Sequence, residues 1–227
     1  MSVNMDEPFT AVDDVEAAMY EDRGMSFHDS QALYNKWASD GTYDEMLNDN
    51  PEEYNGLYMF TSGVKTLFDD VAKVRVLDVG AGSGLSGEKL LSVGYTNIDA
   101  LEPCENFVQI LRKKGIYKNI IHSSIGSETP VNIPDDTYDA VVITGSFGPG
   151  HIPCAAIPEA VRIVKPGGFF LNCMREEYLY DVPEYKDRLV PLLQDLEKQG
   201  RIQKLEWTVY PKHFHGKDGI RMIYKVL

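Results

Sequence analysis

Apolar residues recur at two different spacings along the chain, and the spacing changes near residue 74. Between residues 31 and 70 they follow one another at three- and four-residue intervals, which is typical of amphipathic helices. From Val74 onward, short runs rich in β-branched residues alternate with helical stretches. This alternation predicts a parallel sheet with helices on both of its faces.

The alternating region predicts a set of seven strands with four helices among them. The strands are expected at residues 74–79, 97–101, 120–122, 138–144, 168–174, 204–210 and 219–226, and the helices at 84–93, 104–114, 152–163 and 185–199. Only a short loop separates the last two strands, and a connection that short joins antiparallel neighbours. The predicted fold is therefore an α/β three-layer sandwich, with a seven-stranded, mostly parallel sheet whose last strand is antiparallel.

The chain ahead of the first strand divides into two parts. Residues 1–30 are polar and acidic with weak periodicity, which predicts a mobile acidic N-terminal arm. Residues 31–227 are expected to form one domain, because 227 residues suit a single α/β core and are too few for two domains of ordinary size. The first helical stretch of this domain carries aromatic residues that could fold over a ligand as a lid, namely Tyr34, Trp37 and Tyr43.

The chain is acidic, with a net charge of −13 at pH 7. Such a charge repels phosphate backbones at long range, so we expect a neutral or cationic small molecule as the substrate and no nucleic acid. No apolar stretch approaches the ~18 residues that span a bilayer, and the first residues lack a secretory or transit pattern. A cytoplasmic protein without a membrane partner is therefore expected.

A glycine-rich turn follows the first predicted strand, in the sequence Val76-Leu77-Asp78-Val79-Gly80-Ala81-Gly82-Ser83-Gly84. Glycines at alternate positions let a ligand touch the backbone. The overlapping stretch 82–87 also satisfies the dinucleotide pattern GxGxxG, but this frame starts two residues late, past Gly80. Asp78 would repel a pyrophosphate, whereas it suits the ammonium of an amino-acid-bearing cofactor. Asp78 therefore discriminates between the two kinds of ligand.

Glu102 closes the next predicted strand, where a carboxylate can accept hydrogen bonds from both hydroxyls of a ribose. With the glycine-rich turn and Val164-Lys165-Pro166-Gly167-Gly168, it makes roughly residues 31–227 resemble the class I S-adenosylmethionine-dependent methyltransferases. A narrower similarity, to the methyltransferase-like proteins of the Williams–Beuren region, rests on Tyr34-Asn35-Lys36-Trp37-Ala38, Tyr43-Asp44 and Gly150-His151-Ile152-Pro153. The resemblance implies a Rossmann-like methyltransferase fold, S-adenosylmethionine as the cofactor, and methyl transfer to a nitrogen or oxygen atom.

Expected site residues follow from the same resemblance. Beside the cofactor we expect Asp78, Gly80, Ala81, Gly82, Gly84, Glu102, Pro103, Ser124, Ile125, Thr144, Gly145, Tyr34 and Trp37. The acceptor is expected beside Tyr43, Phe147, Arg175 and Glu176. His151, just after the fourth-strand turn, is the catalytic candidate, which would orient or deprotonate the acceptor. Many relatives have an aspartate that accepts from the adenine amino group, where this chain has Ser123 and Ser124.

Other functions stay open on the sequence alone. The glycine pattern also allows an NAD(P)-dependent oxidoreductase, and a noncatalytic protein of the same fold could act through partners. No metal site is expected, because Cys104, Cys154 and Cys173 lack CxxC spacing. His213 and His215 have the alternating spacing of a metal-binding pair in a strand, but no third ligand is close to them in the sequence. We expect both histidines in a solvated loop between the last two strands.

Overall fold

One sheet of seven strands runs through the protein. The computed structural model describes residues 23–41, 43–44, 54–127, 130–214 and 216–227. The strands in these residues, in chain order, are β1 (Arg75–Val79), β2 (Asn97–Glu102), β3 (Ile120–His122), β4 (Tyr138–Thr144), β5 (Val164–Arg175), β6 (Ile202–Phe214) and β7 (Lys217–Val226). Each of the seven predicted strands is thus present, and β5 and β6 are longer than predicted.

The strands are ordered β3-β2-β1-β4-β5-β7-β6 across the sheet. The pairs among β1 to β5 are parallel, and β7 lies antiparallel between β5 and β6. Only residues 215 and 216 separate β6 from β7, so these two strands pair as a hairpin. The predicted fold class, with an antiparallel last strand in a mostly parallel sheet, is confirmed.

Helices cover both faces of the sheet and complete the three layers. They are α1 (Phe27–Asp40), α2 (Gly56–Val64), α3 (Leu85–Ser92), α4 (Glu105–Lys114), α5 (Ala156–Ile163), α6 (Tyr178–Asp181) and α7 (Leu189–Lys198). Alternate residues of β4 face opposite layers: Val141 and Ile143 pack with α5 and α7, whereas Ala140 and Val142 pack with α2, α3 and α4. Because both faces are buried, this strand is a continuous apolar run in the sequence.

The carboxyl ends of four parallel strands meet at one edge of the sheet. β1, β2, β4 and β5 end there at Val79, Glu102, Thr144 and Arg175. From β1 the chain first builds outward to β2 and β3, and then returns to the other side of β1 for β4 and β5. Such a reversal leaves a crevice beyond the strand ends, which is where ligands bind in sheets of this kind.

Helix α1 begins within the predicted N-terminal arm. Ser26 caps it, since its Oγ accepts a hydrogen bond from the backbone N–H of Asp29 at 3.2 Å. Gly41 ends the helix with a φ of 74°. Ser30 is fully buried, so the predicted boundary at residue 30 lies inside a packed helix. Residues 1–22 lie outside the described residues, and for them the mobile arm stays a prediction.

The structure corrects the expectation for His213. This residue belongs to β6 and is only 3% exposed, so it does not lie in a solvated loop. The pairing of β6 with β7 shifts register between Tyr210 and Phe214, and Lys212 has a φ of 57°. Such an irregularity re-aims side chains, and here it places His213 in the interior. His215 lies outside the described residues.

Two predicted helices begin later than expected. Helix α5 starts at Ala156 rather than at residue 152, and α7 starts at Leu189 rather than at residue 185. Asp187 has a φ of 56°, which the right-handed helix does not allow. Pro153 lies in the loop ahead of α5, and this longer loop lines the cavity described below.

Cys104, Cys154 and Cys173 are buried free thiols. Within the described ranges, no group of three or more histidine, cysteine, aspartate or glutamate side chains is placed to hold a metal ion. None of the helices described above has the length and apolar character needed to cross a membrane.

Candidate active site

A cavity opens at the carboxyl ends of β1, β2, β4 and β5, in the crevice where the strand order reverses. Counted with the solvent space at its mouth, it has a volume of about 1290 Å³. This space is open to solvent and reaches from the glycine-rich turn after β1 to the end of β5.

The glycine-rich turn after β1 forms the floor of the cavity. The N–H of Gly80 donates to Leu101 O at 2.8 Å, which ties the turn to the end of β2. Gly80, Gly82 and Gly84 have φ angles of 69°, 54° and 94°, a region that residues with a Cβ rarely adopt. A Cβ on Gly80 would also overlap the side chain of Ser146. Gly80 and Gly82 therefore present bare backbone to the cavity.

Glu102 lies beside this turn and is 4% exposed. Its Oε2 accepts from the N–H of Gly82 and its Oε1 from the N–H of Cys104, each at 2.8 Å. Burial raises the pKa of Glu102 to about 7. The two hydrogen bonds lower this pKa, whereas the nearby Asp78 carboxylate raises it further. Each carboxylate oxygen can accept a second hydrogen bond, so Glu102 can also bind two ribose hydroxyls.

Asp78 lies beneath the turn and does not line the cavity. Its Oδ2 accepts from the hydroxyls of Ser86 at 2.5 Å and Tyr117 at 2.7 Å, and burial nevertheless raises the pKa of Asp78 to about 6. Its Oδ1 is buried and has no hydrogen-bond partner among the described residues. This second oxygen is the one that remains for the expected ammonium group, which would lower the pKa of the carboxyl.

Aromatic residues of the N-terminal segment cover the cofactor side of the cavity. The ring centroid of Tyr43 lies 4.6 Å from that of Trp37 and 4.9 Å from that of Phe107 in α4. Tyr34 stacks on Trp37 with the ring centroids 6.2 Å apart. The hydroxyl of Tyr43 lies 3.7 Å from the point that a Cβ on Gly82 would occupy. The predicted aromatic lid thus lies over the glycine-rich turn.

Asn35 fastens α1 to the start of α4. Its Oδ1 accepts from Cys104 Sγ at 3.0 Å and from the N–H of Asn106 at 3.3 Å. Its backbone carbonyl accepts from Asn106 Nδ2 at 2.8 Å. Leu33 and Trp37, one turn apart on the inner face of the helix, are 4% and 2% exposed. Polar and apolar contacts therefore both hold α1 over the cavity.

The loop after β4 forms the opposite wall and is anchored by Tyr185, which is 1% exposed. The Tyr185 hydroxyl accepts from the N–H of Gly148 at 2.9 Å. It also lies 2.9 Å from Gly148 O and 2.7 Å from Ile152 O, to either of which its single proton can be donated. Because these contacts bracket His151, they fix the part of the loop that carries the histidine.

His151 has a defined tautomer. Its Nδ1 lies 2.7 Å from Pro149 O, and its Nε2 lies 2.7 Å from the hydroxyl of Tyr34. A carbonyl oxygen only accepts, so Nδ1 carries the proton and Nε2 accepts from Tyr34. Burial lowers the pKa of His151, so the imidazole is neutral near pH 7. The basic nitrogen of His151 therefore faces the lid helix α1.

The far end of the cavity contains a buried cation. Arg175, at the end of β5, is 4% exposed and lines the cavity with Tyr178, His213 and Phe214. Its guanidinium carbon lies 5.5 Å from the ring centroid of Phe214. Burial and the charge of Arg175 lower the pKa of His213 to about 3, so His213 is neutral. Its Nδ1 lies 2.6 Å from the Tyr210 hydroxyl.

Most of the residues expected at the site meet in this cavity. They are Tyr34, Trp37, Tyr43, Gly80, Ala81, Gly82, Glu102, Pro103, Ser124, Ile125, Thr144, Gly145, Phe147, His151 and Arg175. Three do not line it. Asp78 lies below the turn, and Gly84 caps α3 and faces Leu111. Glu176 accepts instead from the exposed hydroxyl of Tyr180 at 2.6 Å, so its position does not support the expected contact with the acceptor.

The cavity also has lining residues that the sequence did not suggest. Ser83 could have been found, because it lies inside the glycine-rich turn. Others come from segments that only the fold brings to the strand ends, and no local pattern marks them: Phe27, Gln31, Tyr54, Leu57, Phe107, Ser146, Tyr178, His213 and Phe214.

The chemistry of the lining fits S-adenosylmethionine. The buried hydroxyls of Ser83 and Thr144, like Asp78 Oδ1, have no hydrogen-bond partner in the described part of the chain. Buried polar atoms seldom lack a partner, so these three indicate a polar ligand. Glu102 supplies acceptors for ribose hydroxyls, and the aromatic cover suits a sulfonium cation.

Comparison with known proteins supports the same cofactor. Residues 77–172 match the family described as a methyltransferase domain. Methyltransferase-like protein 27 of Homo sapiens is 32% identical over 135 residues, which are 59% of this chain and 54% of that protein. The ubiquinone biosynthesis O-methyltransferase of Rickettsia canadensis is 26% identical over 156 residues, 66% of this chain and 63% of that protein. The chain spans about half the length of the curated relatives it matches.

The fold is also that of known methyltransferases. A solved S-adenosylmethionine-dependent methyltransferase from Leishmania major superposes with a TM-score of 0.64 at 15% identity, over 88% of this chain and 82% of that one. The resemblance to class I methyltransferases, and to methyltransferase-like proteins among them, is confirmed, and it implies S-adenosylmethionine as the cofactor. Residues 77–172 therefore match the methyltransferase-domain family, within a chain that has the class I S-adenosylmethionine-dependent methyltransferase fold.

Proposed function

We propose that the protein transfers a methyl group from S-adenosylmethionine to a nitrogen or oxygen atom of a small-molecule acceptor. One observation carries this proposal: a single cavity runs from the turn that contains Gly82, past Glu102, to His151 and Arg175. A cofactor beside the turn and an acceptor beside the loop after β4 would therefore share one cavity. Positioning two reactants in this way supplies much of the catalysis in a group transfer.

The cofactor half of the cavity is assigned to the residues around the turn. When bound, S-adenosylmethionine supplies an electrophilic methyl group, and the thioether that remains needs no proton. Glu102 accepts hydrogen bonds from the ribose hydroxyls, and Asp78 Oδ1 is the acceptor available to the ammonium group. Ser124 and Ile125 lie where the family resemblance puts the adenine. Tyr34, Trp37 and Tyr43 exclude water from this half.

The acceptor half is assigned to the loop after β4 and the end of β5. His151 orients the acceptor through Tyr34 or takes its proton through the same hydroxyl: the Tyr34 proton would move to Nε2 of the neutral imidazole while the Tyr34 oxygen receives the proton of the acceptor. The Tyr34 hydroxyl donates to this nitrogen, and its oxygen can accept from an N–H or O–H of the acceptor. Phe147 and Tyr43 contribute apolar surface on either side.

A small molecule suits this site better than a nucleic acid. The net charge of −13 repels polyanions at long range, which favours acceptors that are neutral or cationic overall. The Rickettsia canadensis relative is an O-methyltransferase, which makes an oxygen acceptor a candidate here. The cytoplasm remains the predicted location.

Two ligand titrations and one activity assay test the proposal. Calorimetry with S-adenosylhomocysteine and NADH should show binding of the first alone, because Asp78 and the register of the turn oppose a pyrophosphate. Methyl transfer from labelled S-adenosylmethionine to a panel of phenols and amines then tests turnover. Binding of NADH without S-adenosylhomocysteine would favour the oxidoreductase. Binding of S-adenosylhomocysteine without turnover on any acceptor of the panel would favour a noncatalytic protein.

A further inference from the structure

An irregular part of β6 places His213 at the cavity. Lys212, the residue before it, has a φ of 57°, a region that residues with a Cβ rarely adopt, and the register of β6 against β7 shifts at this point. Asn55, just ahead of α2, fixes the bulge, since its N–H donates to Lys212 O at 2.7 Å and its Nδ2 to Pro211 O at 3.1 Å. Backbone in this conformation costs free energy and tends to occur at functional sites.

Two glycines make room for the imidazole of His213. Gly56 begins α2 and Gly219 lies in β7. A Cβ on Gly56 would lie 2.8 Å from Nδ1 of His213, and a Cβ on Gly219 would lie 2.5 Å from the Cβ of His213. Both distances are shorter than real contacts of a Cβ, so any larger residue at either position would displace the histidine. Residues of α2, β6 and β7 thus combine to place one imidazole in the cavity wall.

The contact with Tyr210 determines the tautomer of His213. The Tyr210 hydroxyl is buried and lies 2.6 Å from Nδ1, so its single proton needs an acceptor close by. The hydroxyl also interacts with the thiol of Cys173, but sulfur is a weak acceptor, so the phenol donates to Nδ1. Because the imidazole is neutral, its proton is then on Nε2. His213 therefore offers an uncharged N–H donor to a ligand in the cavity.

The two histidines of the cavity have opposite tautomers. His151 carries its proton on Nδ1, and its Nε2 accepts from the hydroxyl of Tyr34. His213 carries its proton on Nε2, the nitrogen that Tyr210 leaves available. The side near His151 therefore takes up a proton, whereas His213 donates a hydrogen bond. A ligand that meets both needs an O–H or N–H at one end and an accepting oxygen at the other.

From this arrangement we propose that His213 binds the methyl acceptor, through a carbonyl oxygen that accepts from Nε2–H at the end remote from the methylated atom. The inference rests on the proposed methyl transfer and names the class of its substrate. An uncharged carbonyl suits an uncharged donor, and the net charge of −13 disfavours an anionic acceptor. Tyr210 is a positioning residue, because it sets the tautomer of His213 and does not line the cavity.

Nitrogen NMR of the full chain with isotope-labelled histidine tests the donor directly. Near pH 7, His213 should show a protonated Nε2 and an unprotonated Nδ1, and His213→Gln identifies its signals by their loss. In Tyr210→Phe the ring loses the hydroxyl that fixes its tautomer, so the form with a proton on Nδ1 should appear. A protonated Nδ1 in the unmodified protein would overturn the proposal.

Matched phenols test the ligand class without knowledge of the natural acceptor. Hydroxyacetophenone and isopropenylphenol share their shape and differ in a carbonyl oxygen, which the second replaces by a methylene group. Calorimetry on the full chain saturated with S-adenosylhomocysteine should show the meta or the para ketone binding about fivefold more tightly than its isopropenyl counterpart, as one hydrogen bond provides. His213→Leu should lose this preference, and His213→Gln, whose amide keeps a donor, should retain part of it. His28→Leu is the control, because His28 is exposed and does not line the cavity.

Three calorimetric results would overturn the proposal. They are equal binding of ketone and isopropenyl compound to the unmodified protein for both isomers, no measurable binding of any of the four, and a ketone preference that survives in His213→Leu. If His213→Leu does not fold, the unmodified protein and His213→Gln still decide. The S-adenosylhomocysteine titration on the same sample reports separately on methyl transfer. Failure of S-adenosylhomocysteine to bind would reject the proposed function, whereas normal binding without a ketone preference would reject only the role of His213.

Discussion

The hydroxyl of Tyr34 lies 2.7 Å from Nε2 of His151, although 117 residues separate them in the chain. This hydrogen bond joins the middle of α1 to the loop after β4, so it links the lid helix to the wall that carries the candidate catalytic residue. The two rings also meet edge to face, with centroids 5.2 Å apart. The bond between Tyr34 and His151 therefore couples the placement of α1 to the orientation of the imidazole.

A double-mutant cycle should detect this coupling. Tyr34→Phe removes the hydroxyl, and His151→Asn keeps a donor for Pro149 O while removing Nε2. We expect the sum of the two single effects on the free energy of unfolding to exceed the effect of the double substitution by about 1 kcal/mol. This is the usual contribution of one hydrogen bond. Urea unfolding of the four proteins measures it. Tyr58→Phe, at a tyrosine that is 70% exposed, should change nothing. Strictly additive single effects would show that the bond does not form in solution.

Cofactor affinity should depend on pH through Glu102. The pKa of Glu102 is raised to about 7, and a ribose hydroxyl donates a stronger hydrogen bond to the charged carboxylate than to the protonated acid. Binding must therefore release a proton, and the affinity for S-adenosylhomocysteine should rise as the pH increases through about 7. Calorimetry from pH 5.5 to pH 8.5, in buffers of different ionisation enthalpy, measures both the affinity and the proton release.

Glu102→Gln should abolish most of this dependence on pH. Gln keeps one acceptor oxygen but cannot receive both N–H groups, from Gly82 and Cys104. We expect a loss of about 1.5–3 kcal/mol of binding free energy at pH 8.5, and a smaller loss at pH 5.5 where Glu102 is protonated. Glu105→Gln is the control, since Glu105 is exposed and close in sequence. A loss that is equal at both pH values would remove Glu102 as the titrating group.

The turn at Gly82 offers a test that separates strain from ligand contact. Gly82→Val should lose S-adenosylhomocysteine binding, because φ is 54° there and the new side chain would project toward the cavity. Gly115 is the matched control: its φ is 66°, it ends α4, and a Cβ on it would meet no atom within 4 Å. Gly115→Val should cost a similar few kcal/mol of stability and leave the affinity unchanged. Normal binding by folded Gly82→Val would make this glycine purely structural.

The sheet and the cofactor half of the site could be predicted because their signals are local. Central strands such as β4 carry short apolar runs, and Gly80, Gly82 and Gly84 supply the positive φ angles of the turn within five consecutive residues. Glu102 was predictable for the same reason. It is the last residue of β2, and β2 pairs with β1, the strand that leads into the turn.

Part of the site could not be predicted in the same way, since residues such as His213 reach the cavity only through irregularities of the fold. His213 turns inward because β6 shifts register after Tyr210, and a bulge of this kind leaves no periodic signal. Asp78 occupies the predicted strand end, but the hydroxyls of Ser86 and Tyr117 hold its Oδ2 away from the cavity. Those contacts join residues up to 39 positions apart, which a local pattern does not reveal.

Helix α1 should act as a lid whose position responds to the cofactor. The glycine-rich turn and Glu102 hold a cofactor from one side, and Tyr34, Trp37 and Tyr43 cover the other. Hydrogen exchange should therefore show added protection across α1 (Phe27–Asp40) when S-adenosylhomocysteine binds, because opening of the helix would expose the bound cofactor. Helix α7 (Leu189–Lys198) packs on the opposite side of the core and should exchange equally in both states.

Two variants distinguish a lid from ordinary core packing. Asn35→Ala breaks the contacts with Cys104 and Asn106 in the full chain, so α1 should exchange faster and S-adenosylhomocysteine should bind about tenfold more weakly, which matches the loss of one or two hydrogen bonds. A chain that starts at Arg23 retains α1 and should bind normally. A chain that starts at Asp44 lacks the helix and should release the cofactor faster. Equal exchange across α1 with and without S-adenosylhomocysteine, together with unchanged binding by the Asp44 chain, would reject the lid and make these aromatic residues part of the static core.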